Sequence, residues 1–311
     1  MTRDNQSGPI LVLGATGRHG GTGAHLVTRL REEGHAVRVL ARTLDDRTDR
    51  LTELGAEVVV GDLFDRRTLL PALADVDLAY FTYPIAAGVL DAAANYAAAV
   101  REVGRNPRTV VMSMGPSHPA SPSNLGRAQW LAEEALQWAG LDLLVLRIPA
   151  LFHENLVVLH SHSIRQDGVF RNSFADAAMG WINSIDAAEL AVAGLLHPEY
   201  FEGKTIVYPL GSEQYTHAGI ASLLSDLLGS QVRFEPVGKD QWRADLLALA
   251  DHDGEKVVNP AMAQHISAVG AMSSAGNPPG ADPDALSQLT GRKPVALRDF
   301  LSANLVSFTG K

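Results

Sequence analysis

The sequence predicts an α/β fold built on a doubly wound parallel sheet, with a smaller α/β part toward the C-terminus. Three observations carry that prediction. Short β-branched apolar runs alternate with helix-periodic stretches from Ile10 to Arg147. The first run, Ile10-Leu-Val-Leu13, passes at once into Gly14-Ala-Thr16-Gly17-Arg18-His19-Gly20-Gly21, a tight glycine turn that opens a helical pattern. Several runs also end in small polar residues, as strands do when a ligand lies beyond their carboxyl ends.

In the turn, Gly14 takes the backbone angles of a sharp reversal. Gly17 lets the main chain approach a ligand, and Gly20 lets the next helix pack closely on the strand. Free backbone N–H groups and the positive end of the helix dipole converge there, so the turn suits a pyrophosphate. The helix runs over Gly23 to Glu33, with Leu26, Val27 and Leu30 as its apolar stripe and Gly34 as its stop. Ala36 to Ala41 is the second strand, and Arg42 stands at its end. An acidic residue at that point holds a ribose 2′-hydroxyl, whereas an arginine accommodates a 2′-phosphate. The basic residue favours NADP over NAD, and Arg18 offers a second guanidinium to the same phosphate.

A third strand covers Val58 to Leu63, and Asp62 either lies along the adenine or caps the helix beginning near Asp65, two compatible roles. Asp77 to Pro84 is the fourth strand, whose end faces the nicotinamide side. A helix over Leu90 to Val103 and a fifth strand over Thr109 to Gly115 follow. After the proline-rich loop from Pro116 to Pro122, Asn124 to Trp138 is helical and Asp142 to Arg147 is the sixth strand. Residues 1–150 thus form a dinucleotide-binding domain, and residues 151–311 a smaller substrate-binding and lid part with some segments returning to the sheet. In that part, Ala150 to Gly180 reads as short helices and loops, Trp181 to Ala191 as a strand and capped helix, and Thr205 to Leu210 as a further strand. Thr216 to Leu228 is an amphipathic helix capped by Thr216 and stopped by Gly229, and residues 251–290 are partly loop.

Composition narrows the function classes. With zero cysteines there are no disulfides, no thiolate metal sites and no cysteine nucleophile. A formal net charge of −9 without a basic run argues against nucleic acid as a partner. No apolar run approaches the ~20 residues of a membrane span, and the first residues are polar. The expectation is a cytoplasmic monomer or homodimer acting on a small molecule, with no membrane partner. Of 26 lysines and arginines only five are lysines, the first being Lys204, so no lysine serves chemistry before that point. His160 and His162 would share one face of a strand, but zinc needs three protein ligands and no third is at hand, so no metal is expected.

Several segments together resemble the NmrA-like group of atypical short-chain dehydrogenases/reductases. They are Gly-Ala-Thr-Gly-Arg-His-Gly20, Val-Leu-Ala-Arg42, Gly61-Asp-Leu-Phe-Asp65, Leu144-Val-Leu-Arg147-Ile-Pro149-Ala-Leu-Phe152-His-Glu154-Asn155, Ile185-Asp-Ala-Ala-Glu189 and Leu289-Thr-Gly-Arg292-Lys-Pro294. The match covers nearly the whole chain. It implies a Rossmann fold with NADP(H) held at the pyrophosphate by Gly14, Thr16, Gly17, Arg18, His19 and Gly20. Arg42 is implied at the 2′-phosphate, Asp62 and Leu63 near the adenine. Thr82, Tyr83, Pro84, Ser113, Met114, Pro149 and Leu151 are implied around the nicotinamide end.

One departure matters. Short-chain dehydrogenases usually carry Tyr-x-x-x-Lys on the helix before the sixth strand. Registering that helix on Glu133 and Gly140 puts Leu125 at the tyrosine position and Gln129 at the lysine position. Gln129 can hydrogen-bond a ribose hydroxyl but supplies no proton at neutral pH. Tyr200 to Lys204 has the same spacing and reads as a coincidence in a turn.

A reductase lacking that pair needs another way to handle the charge that arrives with hydride. His118, His153 and Tyr83 are the candidate proton donors, the histidines because imidazole titrates near pH 7. Phe152, Asn155, Leu156, His160, Phe170 and Trp181 are the candidate substrate-pocket residues, with Trp242 closing the pocket. Quinones, dyes and extended enones hold the charge themselves. The expected function is therefore an NADPH-dependent reductase of a conjugated or aromatic small molecule (quinone, enone, imine or dye-like), such as a tailoring step on a secondary metabolite. Two other readings stay open: an NADP(H)-sensing regulator without catalysis, and a nonredox cyclase, isomerase or lyase on the same fold.

Overall fold

In the computed structural model, which describes residues 8–17, 21–253 and 258–309, the first apolar run is strand β1 (Ile10–Leu13), buried along its whole length. Strands and helices then alternate: α1 (Thr22–Glu32), β2 (Val37–Ala41), α2 (Asp46–Glu53), β3 (Glu57–Val60), α3 (Arg66–Leu73), β4 (Leu78–Phe81), α4 (Val89–Val103), β5 (Arg108–Met114), α5 (Asn124–Trp138) and β6 (Leu143–Ile148). There follow β7 (Leu151–Phe152), α6 (Glu154–Asp167), β8 (Val169–Asn172), β9 (Met179–Ile182), α7 (Ser184–Leu196), β10 (Ile206–Val207) and β11 (Glu213–Tyr215). The chain ends with α8 (His217–Leu228), β12 (Arg233–Pro236), α9 (Lys239–Asp253), α10 (Pro260–Ser274), α11 (Pro283–Thr290), α12 (Leu297–Ala303) and α13 (Val306–Thr309).

One seven-stranded sheet has the order β10-β6-β5-β4-β1-β2-β3. The pairs β2–β3, β1–β2, β1–β4, β4–β5 and β6–β10 are parallel. Strands β1, β2, β4 and β6 are buried at every residue rather than alternately, because helices cover a sheet of this kind on both faces. The sequence of connections reverses between β1 and β4, which makes that crevice the topological switch point. The doubly wound, Rossmann-like fold expected from the sequence is the one observed.

The chain divides into two compact units. One comprises Met1–Pro119, Ala128–Arg147 and Ala187–Tyr208, and carries the seven-stranded sheet; the other comprises Ala120–Arg127, Ile148–Asp186 and Pro209–Lys311. The second contains the sheet β11-β9-β7 and the parallel pair β12–β8. Among the described residues no helix is long and apolar enough to cross a membrane.

Three expectations are corrected. The stretch after Pro149 is not short helices and loops: α6 is 14 residues long, and its buried stripe of Leu156, Leu159, His160 and Ile164 is disguised in sequence by the histidine within it. Because His160 and His162 lie on that helix, they diverge rather than share a face; His160 is buried and His162 exposed. Residues 251–290 are partly loop, as expected, with α10 and α11 on either side of the stretch from 275 to 282. Gly270 does not break α10, since a Cβ there would collide with Ser173 Oγ, so the glycine marks a close approach. Asp65 rather than Asp62 caps α3, accepting from the Arg67 N–H at 3.1 Å, while Asp62 Oδ1 closes its own turn on the Phe64 N–H at 2.9 Å. By contrast, α8 is bounded as expected: Thr216 Oγ1 accepts from the Gly219 N–H at 3.0 Å, and Gly229 stops the helix at φ 64°.

Candidate functional site

In the first unit, β1 ends at Gly14, whose φ of 86° lies in the left-handed region. A Cβ there would also stand 2.5 Å from Thr82 Cγ2, just past β4, so both conformation and space demand glycine. The Gly17 N–H donates to the Gly14 carbonyl at 3.2 Å and closes the turn. Arg18, His19 and Gly20 lie outside the described residues. Helix α1 begins after Gly21, at φ 70°, and among the described residues no side chain caps its first N–H groups. Those groups are a ready site for an anion. Close packing of this helix on the turn falls to Gly23, where a Cβ would lie 2.7 Å from Ala15 Cα and 2.8 Å from the Gly14 carbonyl oxygen.

Arg42 follows β2, exposed, and its guanidinium makes no hydrogen bond among the described residues. Five residues on, Arg47 was not anticipated. It grips Asp45 through Nε (3.2 Å) and Nη2 (2.5 Å) and donates from Nη1 to the Thr16 carbonyl at 2.5 Å, tying the start of α2 to the glycine turn. The available signal was Asp45 with Thr48, a reciprocal helix cap immediately after Arg42. Tyr83, past β4, is half-buried and donates its hydroxyl to the Ala87 carbonyl at 3.1 Å. Burial raises its pKa, against the opposing pull of the Arg42 charge. Phe64, half exposed, meets Tyr83 edge-on with centroids 6.3 Å apart, and the Leu63 carbonyl is held by Asn95 Nδ2 at 3.0 Å.

At the end of β5, Ser113 Oγ donates to Glu133 Oε1, as does Ser117 Oγ at 2.9 Å. The other carboxylate oxygen takes Arg147 Nε at 2.8 Å and Nη2, and Arg147 Nη1 donates to the Tyr208 hydroxyl at 2.6 Å. Glu133 is fully buried, so this ion pair is viable only because every lone pair has a donor. The sequence clue was Arg147 inside the apolar run of β6, since a buried charge requires a partner. A serine has one hydroxyl proton; with it committed, Ser113 offers only lone pairs. One helical turn before Glu133, Gln129 is 6% exposed, and its side-chain amide makes no hydrogen bond among the described residues. Met114 and Thr82 are half-buried, and Pro84 is exposed, as is His118 in the loop after β5.

In the second unit, Leu151 and Phe152 form β7, paired with Trp181 and Ile182 of β9; Pro149 is half-buried before them. The His153 ring packs on Phe300, centroids 5.5 Å apart, and both ring nitrogens are buried without a partner. Burial pushes its pKa down to about 4, so it is neutral at pH 7. Glu154 Oε1 accepts from Ser184 Oγ (2.6 Å), Asn183 Nδ2 (3.1 Å) and the Ser184 N–H (3.2 Å).

Leu156, His160, Phe170 and Trp181 lie in the packed interior of this unit rather than along an open wall. His160 stacks on Trp242 at 5.2 Å and leans on Phe170 at 5.0 Å; His217 stacks on Phe174 at 5.0 Å. Trp242 does line a hollow, of about 650 Å³, together with Leu159, Val237 and Leu246, with Arg171 and Asp245 as polar lining. Phe152 and Asn155 are half-buried.

An uncapped helix start behind a left-handed glycine, at the switch point of a parallel sheet and beside an unpaired arginine, defines the dinucleotide-binding class of doubly wound α/β proteins. Residues 6–259 match the NmrA-like family, and the chain belongs to it. It is 34% identical over 244 residues to the (4-alkanoyl-5-oxo-2,5-dihydrofuran-3-yl)methyl phosphate reductase of Streptomyces griseus, covering 77% of this chain and 80% of that one. It is 29% identical over 236 residues to the NAD(P)H azoreductase of Xenophilus azovorans, covering 75% and 78%. The structure of the Citrobacter sp. triphenylmethane reductase complexed with NADP(H) shares the fold at 20% identity, with a TM-score of 0.77 over 94% of this chain and 99% of that one.

Proposed function

We propose that this chain is an NADPH-dependent reductase of a conjugated or aromatic small molecule of the quinone, enone, imine or dye type. The residues of the first unit fit the cofactor: a Cβ at Gly14 would fill the turn, the first N–H groups of α1 lack a side-chain cap, and Arg42 stands unpaired among the described residues. Gly14, Thr16 and Gly17, with Arg18, His19 and Gly20, would hold the pyrophosphate, Arg42 the 2′-phosphate, and Asp62 with Leu63 the adenine side. Thr82, Tyr83, Pro84, Ser113, Met114 and Gln129 would serve the nicotinamide ribose and ring. When bound, NADPH supplies a hydride. The azoreductase and the phosphate-ester reductase similar to this chain are both redox enzymes by name.

The observation that carries the reaction class is the bonding of Ser113. Its proton and that of Ser117 go to Glu133, the Tyr83 proton goes to the Ala87 carbonyl, and the Gln129 amide is no acid. His153, uncharged at pH 7, is no better a donor. Hydride acceptors that delocalise the arriving charge suit such a site, and His118 is the candidate left to protonate those that do not. The hollow at Trp242 suits an aromatic or alkyl body.

The test is loss of reduced-nicotinamide absorbance with purified protein, NADPH and a panel of quinones, enones, imines and dyes. Oxidation with at least one acceptor is expected. Calorimetric binding of NADPH without oxidation by any acceptor would overturn the reductase reading and favour a cofactor-sensing protein.

A further inference from the structure

In the second unit, α9 and α10 pack side by side and leave a groove of about 440 Å³ along one flank. Its floor is a face of α10 made of Gln264, Ser267, Ala268, Ala271 and Met272, and the small side chains of Ser267, Ala268 and Ala271 leave the space open. Its wall is the first part of α9, where Lys239 and Arg243 stand one turn apart with Asp240 between them. None of these residues belongs to the cofactor site proposed above.

The polar groups of the floor are already used. Gln264 Oε1 accepts from the Asn124 N–H at 2.9 Å, its Nε2 donates to the Pro122 carbonyl at 3.1 Å, and Ser267 Oγ donates to the Gln264 carbonyl at 3.2 Å. Lys239 and Arg243, by contrast, make no hydrogen bond or ion pair among the described residues. Two like charges one turn apart repel. Asp240 offsets one of them, which leaves the groove one positive charge in excess beside the small apolar side chains of Ala268 and Ala271. A single anionic head group completes the balance, and the arginine fork matches either carboxylate or phosphate oxygens.

We propose that this groove binds a small organic anion: a carboxylate or phosphate head between Lys239 and Arg243, and a short apolar body on Ala268 and Ala271. A site of this volume is large enough for such a molecule. The proposal does not require the reductase reading.

The test is calorimetric titration of the full chain with hexanoate, hexyl phosphate, hexanol and inorganic phosphate, with and without saturating NADPH to occupy cofactor phosphate sites. Hexanoate or hexyl phosphate is expected to bind well above hexanol and inorganic phosphate, and whichever is tighter assigns the head group. Lys239→Gln/Arg243→Gln should weaken that binding by about tenfold or more, the worth of charge-assisted bonds. Ala271→Leu, which fills the floor and leaves the charges, should weaken it too. Equal affinity in wild type and both variants, no binding of either anion, or inorganic phosphate bound as tightly as the hexyl compounds would overturn the proposal. Because no turnover is read, failure here is distinct from failure to oxidise NADPH.

Discussion

Ser113 Oγ donates its only proton to Glu133 Oε1, while Arg147 occupies the opposite carboxylate oxygen. Ser113→Ala therefore removes one hydrogen bond, about 1 kcal/mol of stability in urea unfolding. With a quinone acceptor its kcat should fall far less than the ~10²-fold that loss of a general acid costs. Glu133→Ala leaves the Arg147 charge buried alone and should cost about 3–5 kcal/mol. A large kcat loss in Ser113→Ala with unchanged stability would show that the serine acts as a donor.

Arg42→Ala should weaken NADPH binding by roughly tenfold to a hundredfold, the worth of bonds to a charged group of about 1.5–3 kcal/mol. NADH, which lacks the 2′-phosphate, should bind the two proteins alike. Titration of both nucleotides checks this, and an equal loss for both would assign the arginine elsewhere.

Gly23→Ala gains helix propensity of about 1 kcal/mol. The new Cβ meets Ala15 Cα and the Gly14 carbonyl at 2.7 and 2.8 Å, backbone atoms that cannot swing aside. Overpacking of about 1–3 kcal/mol should win, lowering Tm and weakening NADPH binding together. A higher Tm would refute the close approach.

Four buried histidines make the second unit acid-sensitive. Burial lowers the pKa of His153 and His265 to about 4 and of His160 and His217 to about 3, all below the 6.5 of an exposed imidazole. Between those values the unfolded chain binds protons that the folded chain refuses. Stability is thus fully present above pH 6.5 and is lost as pH falls toward 4, by up to about 1.4 kcal/mol per pH unit for each histidine. Glu154, whose pKa burial raises, works in the opposite direction over its own window. Urea midpoints from pH 7.5 to 4.5 measure the slope, and His217→Phe should flatten it.

Trp242 lines the hollow and stacks on His160. Trp242→Phe should keep most of the packing and raise KM for bulky aromatic acceptors more than it lowers kcat. The difference between wild-type and variant emission should be quenched when such an acceptor is added. Unchanged KM and no quenching would place the substrate elsewhere.

Much of the backbone of the candidate cofactor site was legible in the chain because it depends on local demands. Gly14 follows an apolar run and must reverse it, Arg42 ends the next run, and Thr82 and Ser113 end later ones; a parallel sheet brings all such ends to one edge. Less was legible where a side chain's role depends on what packs against it. Gly23 packs against the turn with nothing in its neighbours to announce it, and Asp62 was given the cap that Asp65 makes. Arg47 reaches the Thr16 carbonyl through a helix start that periodicity alone does not place.

The sequence by itself determined the α/β order, the glycine turn and the absence of Tyr-x-x-x-Lys from the helix before the sixth strand, since each is a property of neighbours along the chain. Only the tertiary structure decided that Ser113 is bound to Glu133, that His153 and His160 are sealed and uncharged, and that Trp242 lines a hollow. Burial and the direction of a proton are set by residues distant in sequence, and the desolvation and bonding they impose appear only once the chain has closed around them.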